Sequence, residues 1–250
     1  MALALATRQE FAQPRASANS AGQRRATAIR PDYLRSLDAP APADLVDIEL
    51  HRIGTSVTFA RGRLVIEEAN PADHIFRVES GALRVVRQLP DGRRCITNFL
   101  MAGDYFGLAE SAAYKASVEA ITDARIVRYQ RSAFDRLCER SPHAGRRFLD
   151  LLGRQLSAAQ DRLVLLGQNS AVERLAAFLL SMAERTASGT SPVALPMDRS
   201  DIADYLGLRI ETVSRILTAL RRRKIIGLPN FHSFVINDRD ALEMMAEGEE

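Results

Sequence analysis

The sequence predicts an α+β chain that begins with a small antiparallel β-roll, continues through one long helix and ends in a winged helix-turn-helix. Three observations favour this fold class. Short segments rich in valine, isoleucine and phenylalanine alternate with glycine or proline turns between residues 45 and 131. Leucines then recur at spacings of three and four over residues 149–166. Two short amphipathic segments joined at Gly207 follow near the C-terminus.

The β-roll is predicted from six segments with strand composition. They are "SVTFA", "LVIEE", "HIFRVES", "ALRVVRQL", "CITNFL" and "RIVRYQ". The turns between them contain Gly81, the tripeptide Pro90-Asp91-Gly92 and the pair Gly103-Asp104. Short strands at this spacing are typical of a closed barrel or jelly roll, in which few strand edges remain exposed.

The long helix carries one narrow apolar stripe. Its members are Leu149, Leu152, Leu156, Ala159, Leu163 and Leu166. Polar residues such as Arg154, Gln155 and Arg162 flank the stripe. The stripe suits either packing on the β-roll or pairing with a second copy of the same helix. Because it is narrower than a core-facing helix usually needs, it favours pairing, and we expect a homodimer.

The two C-terminal segments have the start and stop signals of helices. Asp198 is a predicted N-cap, Asp201 lies in the first turn that follows, and Gly207 ends that helix. A second helix starts at Ile210. The buried faces are predicted as Ile202, Ala203 and Leu206 on the first helix and as Val213, Ile216, Leu217 and Leu220 on the second. The turn "LPNFHS" and the strand "FVIND" then form a predicted wing.

The outer face of the second helix has the side chains that bind DNA bases. In a major groove, Arg215 can donate two hydrogen bonds to guanine, Glu211 can accept one from cytosine, and Ser214 can serve either kind of base edge. Ile210 can contact a thymine methyl group. The predicted phosphate contacts are Arg199, Ser200, Arg209, Thr212 and Arg221. Taken singly, these residues could also form ordinary surface ion pairs or complement the helix dipole.

Residues 45–240 resemble the bacterial CRP/FNR family of transcription regulators, most specifically in "DIADYLGLRIETVSRIL". The pentapeptide "ETVSR" is similar to the E-x-x-S-R pattern of the FNR and FixK branch, with Glu211, Ser214 and Arg215 in its base-contacting positions. The cAMP receptor protein instead has Gly where Ser214 stands and Arg where Ile210 stands. The resemblance implies a dimeric activator that binds palindromes of TTGAT and ATCAA half-sites, contacts RNA polymerase and serves an oxygen-limitation or nitrogen-related regulon.

Composition and sequence patterns, together with the resemblance, divide the chain into four expected regions. They are a disordered arm (1–44), a β-roll resembling cyclic-nucleotide-binding domains (45–140), a dimerisation helix (141–168) and the winged helix-turn-helix (169–250). The arm is rich in alanine, serine and arginine, a composition that also occurs in organelle transit peptides. No apolar run approaches the roughly 20 residues that cross a bilayer, and no secretory signal is present. We therefore expect a cytoplasmic protein with no membrane contact.

The sequence departs from the relatives that hold a cofactor. Leu108 occupies the position of a glutamate in the cAMP site, and the Arg-Ser pair that grips the cyclic phosphate is missing, with only Lys115 and Ser117 nearby. No cysteine precedes Cys95, and Val127 stands about where the β-roll cluster ligand of FNR lies, so four cluster ligands are not available. We therefore expect no cofactor and no metal.

Some alternatives stay open at this stage. Haem could use His51, His74 or His143 as an axial ligand, cAMP could be a true effector bound in the β-roll, and Cys95 or Cys138 could respond to oxidation. A cupin-like β-roll enzyme is a remote alternative, since it would need clustered metal ligands and the four histidines are scattered. The expected protein is not an enzyme, and its expected partners are double-stranded DNA, RNA polymerase and a second copy of itself.

Overall fold

The structure is a computed structural model. It describes residues 50, 52–108, 112–168, 170–185 and 192–248. The predicted arm over residues 1–44 lies outside the described residues, as do His51 and Glu110. Every helix in the described part of the chain is too short or too polar to cross a lipid bilayer.

The predicted β-roll is confirmed. Its strands are β1 (Gly54–Phe59), β2 (Leu64–Ile66), β3 (His74–Ser80), β4 (Ala82–Gln88), β5 (Arg94–Met101), β6 (Tyr105–Phe106), β7 (Ser117–Ala120) and β8 (Ala124–Gln130). The six predicted segments correspond to β1–β5 and β8. Strands β6 and β7 were not predicted, because two and four residues are too few to show a clear alternation of apolar and polar side chains.

The roll consists of two four-stranded antiparallel sheets. Their strand orders are β1-β8-β3-β6 and β2-β7-β4-β5. The predicted turn glycines Gly81, Gly92 and Gly103 all have positive φ, between 82° and 96°, a conformation that other residues rarely adopt. Between the sheets lies an apolar core that includes Val78, Leu83, Phe76, Leu100 and Ile126. The core follows from the alternation of inward apolar and outward polar residues along each strand.

Six helices follow the roll within the described residues. They are α1 (Arg131–Arg140), α2 (Pro142–Gln168), α3 (Ala171–Arg185), α4 (Arg199–Leu206), α5 (Ile210–Arg222) and α6 (Arg239–Glu247). The 27-residue helix α2 is the predicted long helix. One of its sides packs on the roll and on α1 through Phe148, Leu151 and Leu152. Helix α6 was not predicted.

The C-terminal domain contains a three-stranded sheet that forms the wing. Its strands are β9 (Val193–Ala194), β10 (Ile226–Asn230) and β11 (Ser233–Ile236), in the order β10-β11-β9. The prediction of a turn over residues 228–233 was wrong at both ends, because Leu228 to Asn230 continue β10 and Ser233 begins β11. The turn itself is Phe231 and His232, and the Asn230 side chain accepts a hydrogen bond from the His232 N–H at 2.8 Å.

The β-roll and the C-terminal domain share one apolar core. Residues of β4 and β5, among them Val86, Ile96 and Phe99, pack in the same cluster as the buried faces of α3, α4 and α5. The Phe99 ring lies 5.1 Å from the Tyr205 ring and 6.2 Å from the Phe178 ring, measured between centroids. The outer face of one sheet of the roll therefore serves as a packing surface for the helix-turn-helix.

Candidate DNA-binding interface

Helices α4 and α5 begin where the sequence predicted, and α4 also ends at the predicted residue. Asp198 caps α4, with its carboxylate accepting a hydrogen bond from the Asp201 N–H at 2.8 Å. Gly207 ends α4 in the left-handed conformation, with φ of 63° and ψ of 38°. Three residues later α5 starts at Ile210, after Arg209 in extended conformation. The tight glycine turn places α5 across α4 as the second helix of a helix-turn-helix.

The packing of α5 leaves one face available to a partner. Val213, Leu217 and Leu220 are buried against α3 and α4, as predicted, whereas Ile216 is only half-buried. The three buried residues recur at spacings of four and three and so lie along one side of the helix. The opposite face projects into solvent because nothing else in the described part of the chain covers it.

The four predicted base-contacting residues lie together on the first turns of α5. Ile210, Glu211 and Arg215 are exposed, and Ser214 is half-buried beside them. Positions 214 and 215 lie about one turn beyond positions 210 and 211, so the four side chains share one side of the helix. Within the described residues, Glu211 and Arg215 form no ion pair with each other, although the i,i+4 spacing permits one. Both charges are therefore available to an external partner.

The predicted phosphate contacts lie at the start of α4 and at the two ends of α5. Arg199 and Ser200 form the first turn of α4, Arg209 precedes α5, Thr212 lies in its first turn, and Arg221 lies in its last turn. Arg209 and Arg221 are exposed, while the other three are half-buried. Guanidinium groups and the N-terminal ends of helices both favour the binding of anions, so these positions are compatible with phosphate contacts.

One exposed residue of this region was missed in the sequence. Phe231, in the wing turn, has 81% of its surface exposed, and its ring centroid lies 5.8 Å from the Arg199 guanidinium carbon. A phenyl ring at this distance can hold a guanidinium by a cation–π interaction. No sequence pattern indicates this contact, because a phenylalanine in "LPNFHS" has the character of a core residue when the position of the turn is unknown.

The apolar stripe of α2 has a covered side and an open side. Leu152 and Leu166 are half-buried, and Ala159 is exposed. Leu149, Leu156 and Leu163, each seven residues after the one before, are 67%, 61% and 72% exposed. Exposed leucines at a seven-residue repeat are typical of a coiled-coil seam, since such a repeat keeps the leucines on one side of a helix.

The β-roll positions that bind cAMP in similar proteins have other contacts in this chain. Leu108 is buried in the apolar cluster beneath α1. The Ser117 hydroxyl accepts a hydrogen bond from the Glu68 N–H at 3.0 Å, and Lys115 is exposed. The Tyr114 hydroxyl donates to the His74 carbonyl at 2.8 Å. These contacts do not form the two-pronged guanidinium site that a cyclic phosphate favours.

A cavity of about 300 Å³ opens at one end of the roll. Its floor includes Phe59, Phe76 and Ile126, and its rim includes His74 and Arg128. Burial, and then the neighbouring Arg128 guanidinium, lower the pKa of His74 below its ordinary value. The cavity has the size of the smallest pockets that bind organic ligands.

Of the two cysteines, Cys138 has the surroundings of an unreactive thiol. Both Cys95 and Cys138 are half-buried. Burial, and then the Asp135 carboxylate, raise the pKa of the Cys138 thiol, so less thiolate is present at neutral pH. Among the described residues, no three side chains of histidine, cysteine, aspartate or glutamate lie close enough together to hold a metal ion.

Comparison with known proteins identifies both domains. The Crp-like helix-turn-helix domain family matches residues 173–245, and the cyclic nucleotide-binding domain family matches residues 56–141. The nitrogen fixation regulation protein FixK of Bradyrhizobium diazoefficiens is 41% identical over 196 residues, which cover 77% of this chain and 81% of FixK. The transcriptional activatory protein AadR of Rhodopseudomonas palustris is 40% identical over 188 residues, 74% of this chain and 78% of AadR.

The fold agrees with a solved structure of the same kind. The structure of FixK2 from Bradyrhizobium japonicum superposes with a TM-score of 0.74 at 35% sequence identity, covering 77% of this chain and 97% of FixK2. Similarity thus extends over the roll, the long helix and the helix-turn-helix together. The chain belongs to the CRP/FNR family of transcription regulators, on its FixK-like branch.

Proposed function

We propose that this chain is a homodimeric transcription activator that binds palindromes of TTGAT and ATCAA half-sites in double-stranded DNA. The observation that carries the proposal is the group of four side chains on the first turns of α5. Ile210, Glu211, Ser214 and Arg215 share one open side of the helix, and their charged members form no ion pair with each other among the described residues. In a major groove, Arg215 donates to guanine O6 and N7, and Glu211 accepts from the amino group of the paired cytosine.

The remaining two base contacts complete the half-site. Ile210 is at the N-terminal end of α5, where an apolar side chain can meet a thymine methyl group. Ser214 lies one turn after Ile210 and next to Arg215, and its hydroxyl can donate a hydrogen bond to a base or accept one from it. The proposed phosphate contacts, Arg199, Ser200, Arg209, Thr212 and Arg221, hold the helix in register but carry no sequence information.

The dimer follows from the open leucines of α2. Two copies of the stripe through Leu149, Leu156 and Leu163 would bury these side chains against each other around a two-fold axis. The two-fold axis relates two recognition helices, which must lie about 34 Å apart to meet successive turns of the major groove. A palindromic site is the DNA counterpart of this symmetry.

Activation and the physiological setting are inferred from the relatives. FixK is named as a nitrogen fixation regulation protein and AadR as a transcriptional activatory protein. We infer that the chain activates promoters by contacting RNA polymerase, within an oxygen-limitation or nitrogen-related regulon in the cytoplasm, and that it has no catalytic activity. The arrangement of Leu108, Lys115 and Ser117 supports DNA binding that does not require a cyclic nucleotide.

A binding titration tests the proposal directly. The full-length protein is titrated into a fluorescent duplex that carries a TTGAT/ATCAA palindrome, and into a matched duplex in which both guanines of the half-sites are replaced. We expect two chains per palindrome, a preference of at least about a hundredfold, and a steep loss of affinity with added salt. Equal affinity for both duplexes would refute sequence-specific binding.

A second candidate is the same regulator with a small molecule in the roll. The cavity beside His74 and Arg128 favours it, because the cavity combines an apolar floor with polar groups at its rim. The titration is therefore repeated with cAMP, and the absorption spectrum of protein purified without air is recorded for haem. A tenfold gain in DNA affinity with cAMP, or a haem absorption band, would support the second candidate and refute ligand-independent DNA binding.

A further inference from the structure

The first helix of the helix-turn-helix has a buried charge whose function the DNA contacts do not explain. Asp201, in the first turn of α4, is only 1% exposed, although an aspartate is seldom buried without a partner. Its side chain points toward the β-roll. The dipole of α4 accounts for an acidic residue at this position but not for its burial.

Two arginines of the roll bind the Asp201 carboxylate. Arg84, from β4, donates to both of its oxygens at 2.8 and 3.0 Å. Arg94, from β5, donates to the same carboxylate at 3.0 Å and to Asp204, one turn further along α4, at 2.8 Å. Arg84 also donates to Glu119 of β7 at 2.8 Å. These five residues form an ion-pair network, here called the α4 clamp, between the sheet and the helix.

The far end of α4 is held by two further arginines. Arg162, from the long helix α2, donates to the Tyr205 carbonyl at 2.7 Å and to the Ile96 carbonyl of β5 at 2.8 Å. Its guanidinium carbon lies 3.9 Å from the Tyr205 ring centroid. Arg174 of α3 donates to the Leu206 carbonyl at 2.9 Å. The last carbonyls of α4, which have no partners inside the helix, are therefore bonded to α2 and α3.

The apolar contact beneath the α4 clamp restricts the distance between α4 and the sheet more strongly than the orientation of α4 on the sheet. The shared core brings Phe99 of β5 against Tyr205 and Phe178. Apolar burial has little directional preference, so a helix on such a surface can slide or rotate at small cost. Paired, charged hydrogen bonds are directional, and those in the α4 clamp come from two different strands. They select one orientation of α4 on the sheet.

The energetics agree with a role in orientation. Burial raises the pKa of the Asp201 carboxyl above its ordinary value, in spite of the two guanidinium groups beside it. The ionised carboxylate is therefore less favourable in the folded protein than in the unfolded chain. Buried ion pairs with this property are poor sources of stability but can specify one arrangement over its competitors.

We propose that Asp201 is a positioning residue for DNA binding, which together with Arg84 and Arg94 sets the angle at which the helix-turn-helix is held on the β-roll. Because α5 is fixed to α4, this angle determines where the recognition helix lies relative to α2. In a dimer formed through α2, the same angle determines the separation of the two recognition helices. The part of the proposal that concerns half-site separation rests on the proposed function, whereas the part that concerns the angle does not.

The matched variants are Asp201→Asn, which removes the charge at constant shape, and Asp91→Asn as a control. Asp91 pairs with Arg93 in the exposed turn between β4 and β5 and belongs to none of the contacts above. Asp201→Asn leaves Arg84 with Glu119 and Arg94 with Asp204. We therefore expect its melting temperature to stay within about 3 °C of the parent value. Arg94→Gln, at a more exposed position, replaces Asp201→Asn if the latter does not fold.

The first measurement needs neither DNA nor a dimer. Spin labels are placed at Arg125→Cys on the roll and Asp240→Cys on α6, both exposed, with Cys95 and Cys138 changed to serine. Labelled chains are diluted with unlabelled chains, so that only distances within one chain are recorded. We expect one narrow distance distribution in the parent and in Asp91→Asn, and a broader or displaced one in Asp201→Asn. Identical distributions in all three would refute the proposal.

The second measurement uses palindromes whose half-sites are separated by the natural spacing or by one base pair more. The parent should lose on the order of 30-fold in affinity on the longer spacing, because its recognition helices are held at one separation. Asp201→Asn should bind the natural spacing roughly tenfold more weakly and lose less than about threefold on the longer one. An unchanged spacing preference would refute the positioning role in DNA binding. A parent that binds neither palindrome would refute the proposed function and leave the distance measurement to decide the role of Asp201.

Discussion

Two surfaces of this chain are open in the single subunit, and they differ in every physical property. The stripe on α2 exposes Leu149, Leu156 and Leu163, which water solvates poorly. The face of α5 exposes Glu211, Arg215 and a series of basic residues that water solvates well. Burying an apolar stripe against another apolar stripe lowers the free energy of the complex, so such a stripe suits permanent association with a second copy. A charged face binds favourably only where the partner offers charged and hydrogen-bonding groups that replace the lost water, so it suits selective and reversible binding.

DNA binding by the charged face should depend on the apolar stripe, but not the reverse. In the proposed function, binding to a palindrome needs two copies of the charged face at a fixed separation, and pairing of the apolar stripe would supply the second copy. Loss of the stripe should therefore remove palindrome binding, whereas loss of a charged residue should leave the dimer intact.

The largest effect is expected for Leu156→Asp on the stripe. It places two charges in the centre of the dimer interface and removes the burial of two leucines, each worth roughly 1.5–3 kcal/mol. Sedimentation equilibrium should show dimer dissociation at concentrations at least about a hundredfold higher than for the parent. Palindrome affinity should fall in parallel. Met244→Asp, at an exposed apolar position of α6, is the control and should stay dimeric. A dimeric Leu156→Asp would show that the subunits associate through another surface.

The next largest effect is expected for Arg215→Ala on the charged face. The variant should remain dimeric but lose about 1–3 kcal/mol on TTGAT sites, together with its preference for guanine at that position. The loss is specific because only the correct base offers two acceptors to the guanidinium. Competition between duplexes that differ at this base measures the preference. Arg239→Ala, an exposed arginine on α6, should leave it unchanged. An unaltered preference in Arg215→Ala would remove this residue from the set of base contacts.

A smaller and uniform effect is expected for Arg221→Ala. This arginine lies in the last turn of α5, away from the proposed base contacts. Its removal should weaken binding to specific and unrelated duplexes by the same factor of a few, and it should lower the slope of log affinity against log salt by about 1. Titrations at four salt concentrations provide the slope. A loss confined to the palindrome would assign Arg221 to base recognition.

The smallest effect is expected for Phe231→Ala in the wing turn. The phenyl ring lies beside Arg199, and its loss should let that guanidinium move more freely without removing the charge. We expect a two- to threefold weaker affinity, by roughly 0.5 kcal/mol, for all duplexes. If Phe231→Tyr, which keeps a ring in place, bound as weakly as Phe231→Ala, the contact with Arg199 would not be the reason.

The helix-turn-helix was predictable because its signals are local. Asp198, Gly207 and the apolar repeat from Val213 to Leu220 are each interpretable within one or two turns of helix, and the structure confirms the helix ends that they predict. The predicted roles of Ile210, Glu211, Ser214 and Arg215 depend on an external partner, so they stay predictions. Strand β9 was beyond prediction, because two residues in "SPVALP" acquire strand geometry only by pairing with β11.

The contacts of Asp201 were also beyond prediction, for a different reason. In the sequence, an aspartate in the first turn of a helix is fully explained by the helix dipole. Its burial depends on Arg84, which lies 117 residues away in the chain. Nothing in the local sequence distinguishes an aspartate that faces water from one that faces two arginines of another domain. Sequence patterns therefore identify a partner-binding surface more readily than they identify the residues that orient this surface.

The shared core affects how the C-terminal domain can be isolated or exchanged. A fragment that starts near residue 170 would expose the sides of Phe178 and Tyr205 that normally cover Phe99, together with the unpaired Asp201 carboxylate. Such a fragment should aggregate or loosen, even though its helix-turn-helix sequence is complete. A chimera that transplants the DNA specificity of this chain would need to carry the outer face of β4 and β5 as well. The boundary at which the chain can be exchanged therefore runs through the β-roll and not along the connection between α2 and α3.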